Sequence, residues 1–172
     1  RYYYSVLQSQ EGAAVQAYLD KRRIRRGIAV RFGMGAAPDS WDALLTAMTH
    51  KGYTKQELIS AGLAVNGKNG RLYDKFRNRL MLPVIDVRGD VVGFGSRVLD
   101  KSEPKYMNTP ETLTYSKRRI LYGMNLAKKS KRSNIILCEG NLDVVTLHQA
   151  GFDNAVASMG TALTQEQLRL LS

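Results

Sequence analysis

Two carboxylates, Glu139 and Asp143, stand at the junction of an apolar run and a helical pattern. Ile135 to Cys138 is short and rich in β-branched residues, which reads as a buried parallel strand. Gly140 permits a tight turn without steric cost. Residues 141–150 then predict a helix with Leu142, Val145 and Leu147 inward, ended by Gly151. Glu139 thus sits at the carboxyl end of a strand, where open α/β sheets bind ligands. Asp143, in the first helical turn, can point to the same side. Paired carboxylates so placed suit a hard divalent cation or acid–base work. Spacing alone leaves a second reading open, in which both are cap and first-turn acids favouring the helix dipole.

A second unit follows at once. Ala155 to Met159 reads as a strand, Gly160 as a turn, and Thr164 with Gln167 as a capping box for a last helix. A β-α-β-α order with short links predicts parallel strands joined by a right-handed crossover.

The charge is unevenly placed. Residues 1–132 carry 25 Lys and Arg against 11 Asp and Glu, a net +14. Residues 133–172 carry Arg169 against Glu139, Asp143, Asp153 and Glu166, a net −3. A basic body beside an acidic site suits a metal-dependent enzyme acting on a polyanion; a generally basic soluble surface is the plainer alternative. No run is apolar enough to span a membrane, and no secretory signal is visible. The lone Cys138 offers neither an internal disulfide nor a zinc framework and reads as a buried hydrophobe. His50 and His148 read as helix-surface residues.

The elements upstream follow from local pattern. Residues 2–6 read as the tail of a helix, and 11–22 as a helix with Val15, Tyr18, Leu19 and Arg22 on one face. Lys21 to Arg26 holds five positive charges, either a phosphate-facing patch or a solvated helix end. Ile28, Val30 and Phe32 predict a strand. Trp41, Leu44, Leu45 and Met48 fit a helical stripe ended by Gly52. Thr54 with Glu57 is a capping box for the next helix, with Tyr53 and Leu58 as a staple. Residues 80–87 predict a strand in which Pro83 requires an edge or a strand start. Gly89-Asp90 predicts a type II′ hairpin leading into Val91–Phe94. Residues 101–116, with two prolines, predict an irregular loop of the kind that carries function.

Glu139-Gly140-x-Leu142-Asp143, followed by residues 157–162 (Ala-Ser-Met-Gly-Thr-Ala), resembles the start of a Toprim domain. Further motifs narrow the resemblance. Tyr73-Asp74-Lys75-Phe76-Arg77-Asn78-Arg79, Gly93-Phe94-Gly95-Ser96-Arg97, residues 104–112 around Lys105-Tyr106-Met107-Asn108, and Lys117 with Leu121-Tyr122-Gly123 resemble successive blocks of the bacterial replicative DNA primase family, in that family's order. Tyr18-Leu19, Arg22, Phe32, Gly35, Ala37-Pro38 and Trp41-Asp42 also fit, so the resemblance covers nearly the whole chain. The departures are Arg23 and Ser96 in place of glycines, Asn141 in place of a tyrosine, and Tyr115-Ser116 where an aromatic and a histidine are usual.

The resemblance implies an α+β basic N-terminal subdomain over residues 1–132, made of short helices plus an antiparallel hairpin. A Toprim-like α/β segment with parallel strands follows over residues 133–172. It implies synthesis of short RNA primers on single-stranded DNA from ribonucleoside triphosphates, in the cytoplasm, by an RNA-polymerase (nucleotidyltransferase) core using Mg2+ or Mn2+. Glu139 is then the acid–base residue and a metal ligand, supported by Asp143. Arg77, Arg79, Arg97, Lys105 and Lys117 form a basic floor for nucleic acid or nucleotide, in which Arg22 has no part. Tyr106 and Asn108 fix a nucleotide sugar or phosphate. The family's later Asp-x-Asp would follow Ser172, so the metal site is expected to be incomplete and the chain alone inactive. A Zn2+-binding domain and a domain that meets the replicative helicase are expected outside these residues. The alternatives are a Toprim topoisomerase or nuclease, and a non-catalytic nucleic-acid or nucleotide-binding module.

Overall fold

A computed structural model describes residues 1–160 and 162–171. The chain opens with helices α1 (Tyr2–Leu7), α2 (Ala13–Lys21) and α3 (Arg26–Arg31). The strand expected through Ile28 and Val30 is therefore helical. Arg25 is the extended N-cap of α3, and its carbonyl accepts the N–H groups of Ile28 and Ala29. Its own N–H is captured by Gln149 Oε1 at 2.8 Å, so a contact distant in sequence sets this start. Tertiary context overrides the β propensity of these residues.

β1 (Gly35–Ala37) precedes α4 (Ala43–His50) and α5 (Lys55–Ser60). The Thr54–Glu57 capping box forms as expected, and Gly52 and Gly62 end the two helices at φ 89° and 67°. Trp41 departs from expectation. It precedes α4 and is 59% exposed, and Leu44 alone of the predicted stripe is fully buried. The N-terminus of α4 is held by Asp74, whose carboxylate accepts the N–H groups of Leu44 (2.7 Å) and Leu45 (2.9 Å). Asp74 belongs to β3 (Leu72–Asp74), which pairs with β2 (Ala64–Asn66) in a small hairpin that pattern did not disclose.

β4 (Arg79–Ile85) and β5 (Val91–Val98) form the antiparallel hairpin, and β6 (Tyr106–Asn108) adds to β5. The sheet order is β1-β4-β5-β6. β1 pairs only with Arg79–Met81, so Pro83 lies where β4 has become an edge and needs no donor. The turn is not type II′. Gly89 N–H donates to the Asp86 carbonyl, and Gly89 itself takes φ 103°. Asp86 Oδ1 accepts the N–H groups of Arg88, Gly89 and Asp90, and this side-chain capture draws the turn back onto Val87 and Arg88.

β7 (Leu121–Tyr122) and α6 (Met124–Ala127) lead into β8 (Ile136–Cys138), α7 (Asn141–Gln149), β9 (Ala155–Ser158) and α8 (Gln165–Leu171). β8 and β9 pair in parallel, as the β-α-β order requires, and β7 adds antiparallel to β9. β8 is not buried: it is the edge of this sheet, with Leu137 48% exposed and Cys138 half-buried. The Thr164–Gln167 capping box is present, and Gln167 also donates to the carbonyls of Lys117 and Ile120, tying α8 to the segment before β7. Thr161 of the Toprim-like motif, and Ser172, lie outside the described residues.

One apolar cluster joins the two halves. Leu80, Leu82 and Val84 of β4 share it with Tyr122, Val144, Val145 and Ala157. Each fully buried Leu or Val among them contributes about 1.5–3 kcal/mol. The buried stripe of α7 is Val144, Val145 and His148, with Leu142 and Leu147 only partly covered. His148 is therefore not a surface residue. Its Nε2–H donates to the Ala155 carbonyl at 2.9 Å, and its ring meets Phe32 edge-on. Among the described residues no helix is long and apolar enough to cross a membrane.

Candidate nucleic-acid and catalytic site

Strand pairing decides which side chains share a face. Residues directly opposite in an antiparallel ladder point the same way, and neighbours along a strand alternate. Leu80, Arg97 and Tyr106 are in register, as are Leu82, Gly95 and Asn108. All six therefore face one side, toward α7. Arg79 is paired with Val98 and faces the other side.

On the α7 side a cleft of about 390 Å³ opens between the two sheets. Tyr106 and Asn108 line one wall; Glu139, Asn141, Asp143 and Ser158 line the other. The turn at Gly140 brings this about by sending the chain from the end of β8 straight into α7. Glu139 and Asp143 are both exposed. Asp143 Oδ2 accepts the Gly140 N–H at 3.2 Å, so one of its oxygens steadies the turn and the other stays open. Glu139 also borders a second depression along the free edge of β8, lined by Leu137, Cys138 and Leu163.

Basic and aromatic side chains interleave beside the cleft. The Arg97 guanidinium lies 4.9 Å from the Tyr106 ring centre and 5.7 Å from that of Tyr18. Arg97 Nη1 donates to the Tyr106 hydroxyl. Arg22 covers Tyr18 at 5.4 Å, and Lys105 covers Tyr106 at 5.7 Å. The result is a ladder Arg22–Tyr18–Arg97–Tyr106–Lys105 whose last aromatic lines the cleft. Arg22, left out of the expected basic floor, is a rung of it.

Arg77 is elsewhere. Its guanidinium lies 4.1 Å from the Trp41 ring centre and 5.1 Å from that of Tyr73, and Nη1 donates to the Asp74 carbonyl. Arg79 is not on an open floor. It is 5% exposed, and Nη2 donates to the Pro104 carbonyl at 2.8 Å, which anchors the loop leading into β6. Burial, with Arg77 nearby, holds its pKa below the usual arginine value. Lys75 is lowered by burial and then by the charges of Lys117 and Arg79, so these cations stand within electrostatic reach of one another. The backbone N–H of Lys117 is held by Glu111.

The arrangement thus unites Tyr106, Asn108, Glu139 and Asp143 around one cleft, with Arg97 and Lys105 attached through Tyr106. Arg77, Arg79 and Lys117 do not line it; Arg77 acts on Arg79, and Arg79 and Lys117 both act on Lys75. Trp41, Asn141, Tyr18 and Asp74 are not among the expected site residues, although each stands in or beside a motif of the resemblance.

Glu139 and Asp143 supply hard oxygen donors, but among the described residues no group of three or more His, Cys, Asp or Glu side chains gathers around a metal position. Mg2+ is usually held by one or two carboxylates, with waters and substrate phosphates completing its shell. The donor set fits that pattern.

Residues 2–128 match the family model of the N-terminal domain of the DNA primase catalytic core, and residues 133–172 match a Toprim domain model. The DNA primase of Clostridium acetobutylicum is 49% identical over 172 residues, covering 99% of this chain and 28% of that protein. The DNA primase of Escherichia coli K12 is 41% identical, covering 99% of this chain and 30% of that protein. The chain therefore spans less than a third of either relative. A solved structure of the DnaG primase catalytic domain bound to single-stranded DNA superposes with a TM-score of 0.93 at 41% identity, covering 99% of this chain and 56% of that one. The RNA polymerase domain of Mycobacterium tuberculosis primase, in complex with a double-stranded DNA oligomer bearing a 6-nucleotide overhang, gives 0.90 at 42% identity over 99% of this chain and 54% of that one.

Proposed function

The chain belongs to the family of DNA primase catalytic-core N-terminal domains, and from that membership we propose that it serves template-directed synthesis of short RNA primers. The observation that carries the reading is the cleft in which Glu139 and Asp143 face Tyr106 and Asn108, with the Arg97 ladder at its side. Acids to manage a proton and a cation lie opposite groups suited to a sugar and phosphates. We keep the division of labour at residues 132 and 133, basic body before and acidic site after. The match over residues 2–128 favours this reading over a topoisomerase or nuclease, which a Toprim match alone would permit.

In this reading a primer 3′-hydroxyl attacks the α-phosphorus of a ribonucleoside triphosphate, and pyrophosphate leaves. Glu139 accepts the hydroxyl proton, a role suited to an exposed carboxylate at a strand end. Asp143 keeps its free oxygen toward the same space because Gly140 fixes the other. Arg97, Lys105 and Lys117 neutralise phosphate oxygens, and Tyr106 and Asn108 hold the nucleotide. Arg77, sandwiched by Trp41 and Tyr73, offers the template a charged aromatic platform. Arg79 contributes by holding the Pro104 loop. Glu139 and the free oxygen of Asp143 would hold Mg2+ or Mn2+, which when bound supplies Lewis-acid stabilisation of phosphate charge. Partners in this reading are single-stranded DNA, the RNA primer and ribonucleoside triphosphates, with cytoplasmic location. A replicative helicase and a Zn2+ site would engage segments outside these residues.

The test is template-dependent RNA synthesis by the full-length protein carrying this chain, compared with its Glu139→Gln variant. Activity in the parent and its loss in the variant support the reading. Equal synthesis by both would remove Glu139 from the chemistry.

A further inference from the structure

We infer that Asn141 and Asn108 together read a ribose hydroxyl of the nucleotide in the cleft, an inference that rests on the primer-synthesis reading above. Both amides line that cleft. They converge over Gly95, the residue in register with Asn108 across the β5–β6 ladder. A Cβ built on Gly95 would stand 2.7 Å from Asn141 Nδ2 and 3.2 Å from Asn108 Oδ1. A donor from the Toprim-like half and an acceptor from the basic half thus occupy the space a side chain would fill. Among the described residues neither amide has a hydrogen-bond partner, in each other or elsewhere.

A hydroxyl answers this pair, because one oxygen can accept from the N–H of one amide and donate to the oxygen of the other. A phosphate oxygen would use only the donor side of the amides, and an ammonium only the acceptor side. The ribose 2′-hydroxyl is also the group by which a protein distinguishes RNA from DNA precursors. Asn141 is the first residue of α7 and Asn108 the last of β6, so the two amides meet where these elements end. Gly95 enables it: any side chain there would push both amides aside. Since the atoms it would meet are the tips of flexible side chains, Gly95→Ala displaces the amides while leaving the ladder intact.

The experiment is equilibrium competition against a fluorescent nucleotide on the full-length protein, with ATP, 2′-deoxy-ATP and 3′-deoxy-ATP. The parent should prefer ATP over one of the two analogues by about tenfold, which identifies the hydroxyl read. Asn141→Ala and Gly95→Ala should each bring that ratio close to one, mainly by weakening ATP. A merely structural role would weaken ATP and the analogues alike and keep the ratio, which overturns the inference. A parent that binds nucleotides without preference overturns it as well, with the primer-synthesis reading left standing. A parent that binds no nucleotide overturns that reading and this inference with it.

Discussion

The Arg77 guanidinium lies 4.1 Å from the centre of the Trp41 ring, and the residue between their supports, Asp74, holds both. The Asp74 N–H donates to the Trp41 carbonyl at 2.7 Å, and its carbonyl accepts from Arg77. Its carboxylate caps α4 from inside the protein. A 59% exposed tryptophan with a cation on its face is therefore a built surface, fixed by backbone contacts rather than left over from packing.

This surface predicts how single-stranded DNA binding responds to salt. Each phosphate neutralised contributes about −0.7 to the slope of log K against log salt. Arg77→Ala should reduce the slope by about one such unit. Trp41→Ala should leave the slope unchanged and weaken binding by about 1–3 kcal/mol through lost base stacking. Arg22→Ala should act like Arg77→Ala, because Arg22 is part of the Tyr18–Arg97 ladder. Fluorescence anisotropy at several salt concentrations measures all three, and equal slopes throughout would mean that the charge acts diffusely.

The parts of this fold that could be read in advance are those that local chemistry decides. Caps at Thr54 and Thr164 and glycine stops at Gly52 and Gly62 follow from neighbours within a few residues, and the parallel β8–β9 pair follows from the β-α-β order. What escaped was set at a distance. Residues 26–31 are helical because Gln149 captures the Arg25 N–H and the Arg23 carbonyl. Arg23, standing for a glycine, accepts φ 56° under the same clamp. Ser96, also standing for a glycine, keeps the strand regular and donates to the Met107 carbonyl. In the site, Tyr106, Asn108, Glu139 and Asp143, each named from its own motif, line one cleft, and only strand register could show that Arg79 faces away from them.

Asp74 should therefore be a stability residue as well as a positioning one. Asp74→Ala removes two charge-assisted bonds to the buried start of α4 and should cost about 2 kcal/mol. Template affinity should stay within a few fold, since Asp74 supports Trp41 and Arg77 through its backbone N–H and carbonyl, which the substitution keeps. Denaturant unfolding and anisotropy on the same variant check both; a loss of affinity without loss of stability would contradict this account.

His148 predicts a pH dependence. It is 3% exposed, and burial pushes its pKa below 6.5, with Arg31 lowering it further, against opposing contributions from the Ala155 carbonyl and Asp153. The unfolded chain then takes up a proton near pH 6.5 that the folded chain resists. Stability should be full above that pH and decline as pH falls below it toward the depressed folded value. Asp74 has the opposite sign, because its carboxyl is raised from 3.8, and it acts at lower pH. Thermal unfolding between pH 7.5 and about 5.5 should show the decline. His148→Gln should flatten it, and an unchanged slope in that variant would assign the effect to another group.

Glu139 and Asp143 should separate chemistry from architecture. Both acids line one cleft, yet only Asp143 holds a backbone N–H. Glu139→Gln removes charge and basicity while keeping shape, so primer synthesis should fall by about 10²–10⁴-fold with template affinity within a few fold. Asp143→Asn retains a carbonyl oxygen to accept the Gly140 N–H, so its melting temperature should stay near that of the parent while synthesis falls. Asp143→Ala loses that acceptor and should lower stability as well, by about 1 kcal/mol. Primer synthesis, anisotropy and thermal unfolding on the three variants decide the matter. If Asp143→Asn synthesised primers normally while Asp143→Ala did not, Asp143 would be a cap for the Gly140 turn and Glu139 alone would carry the acid–base work.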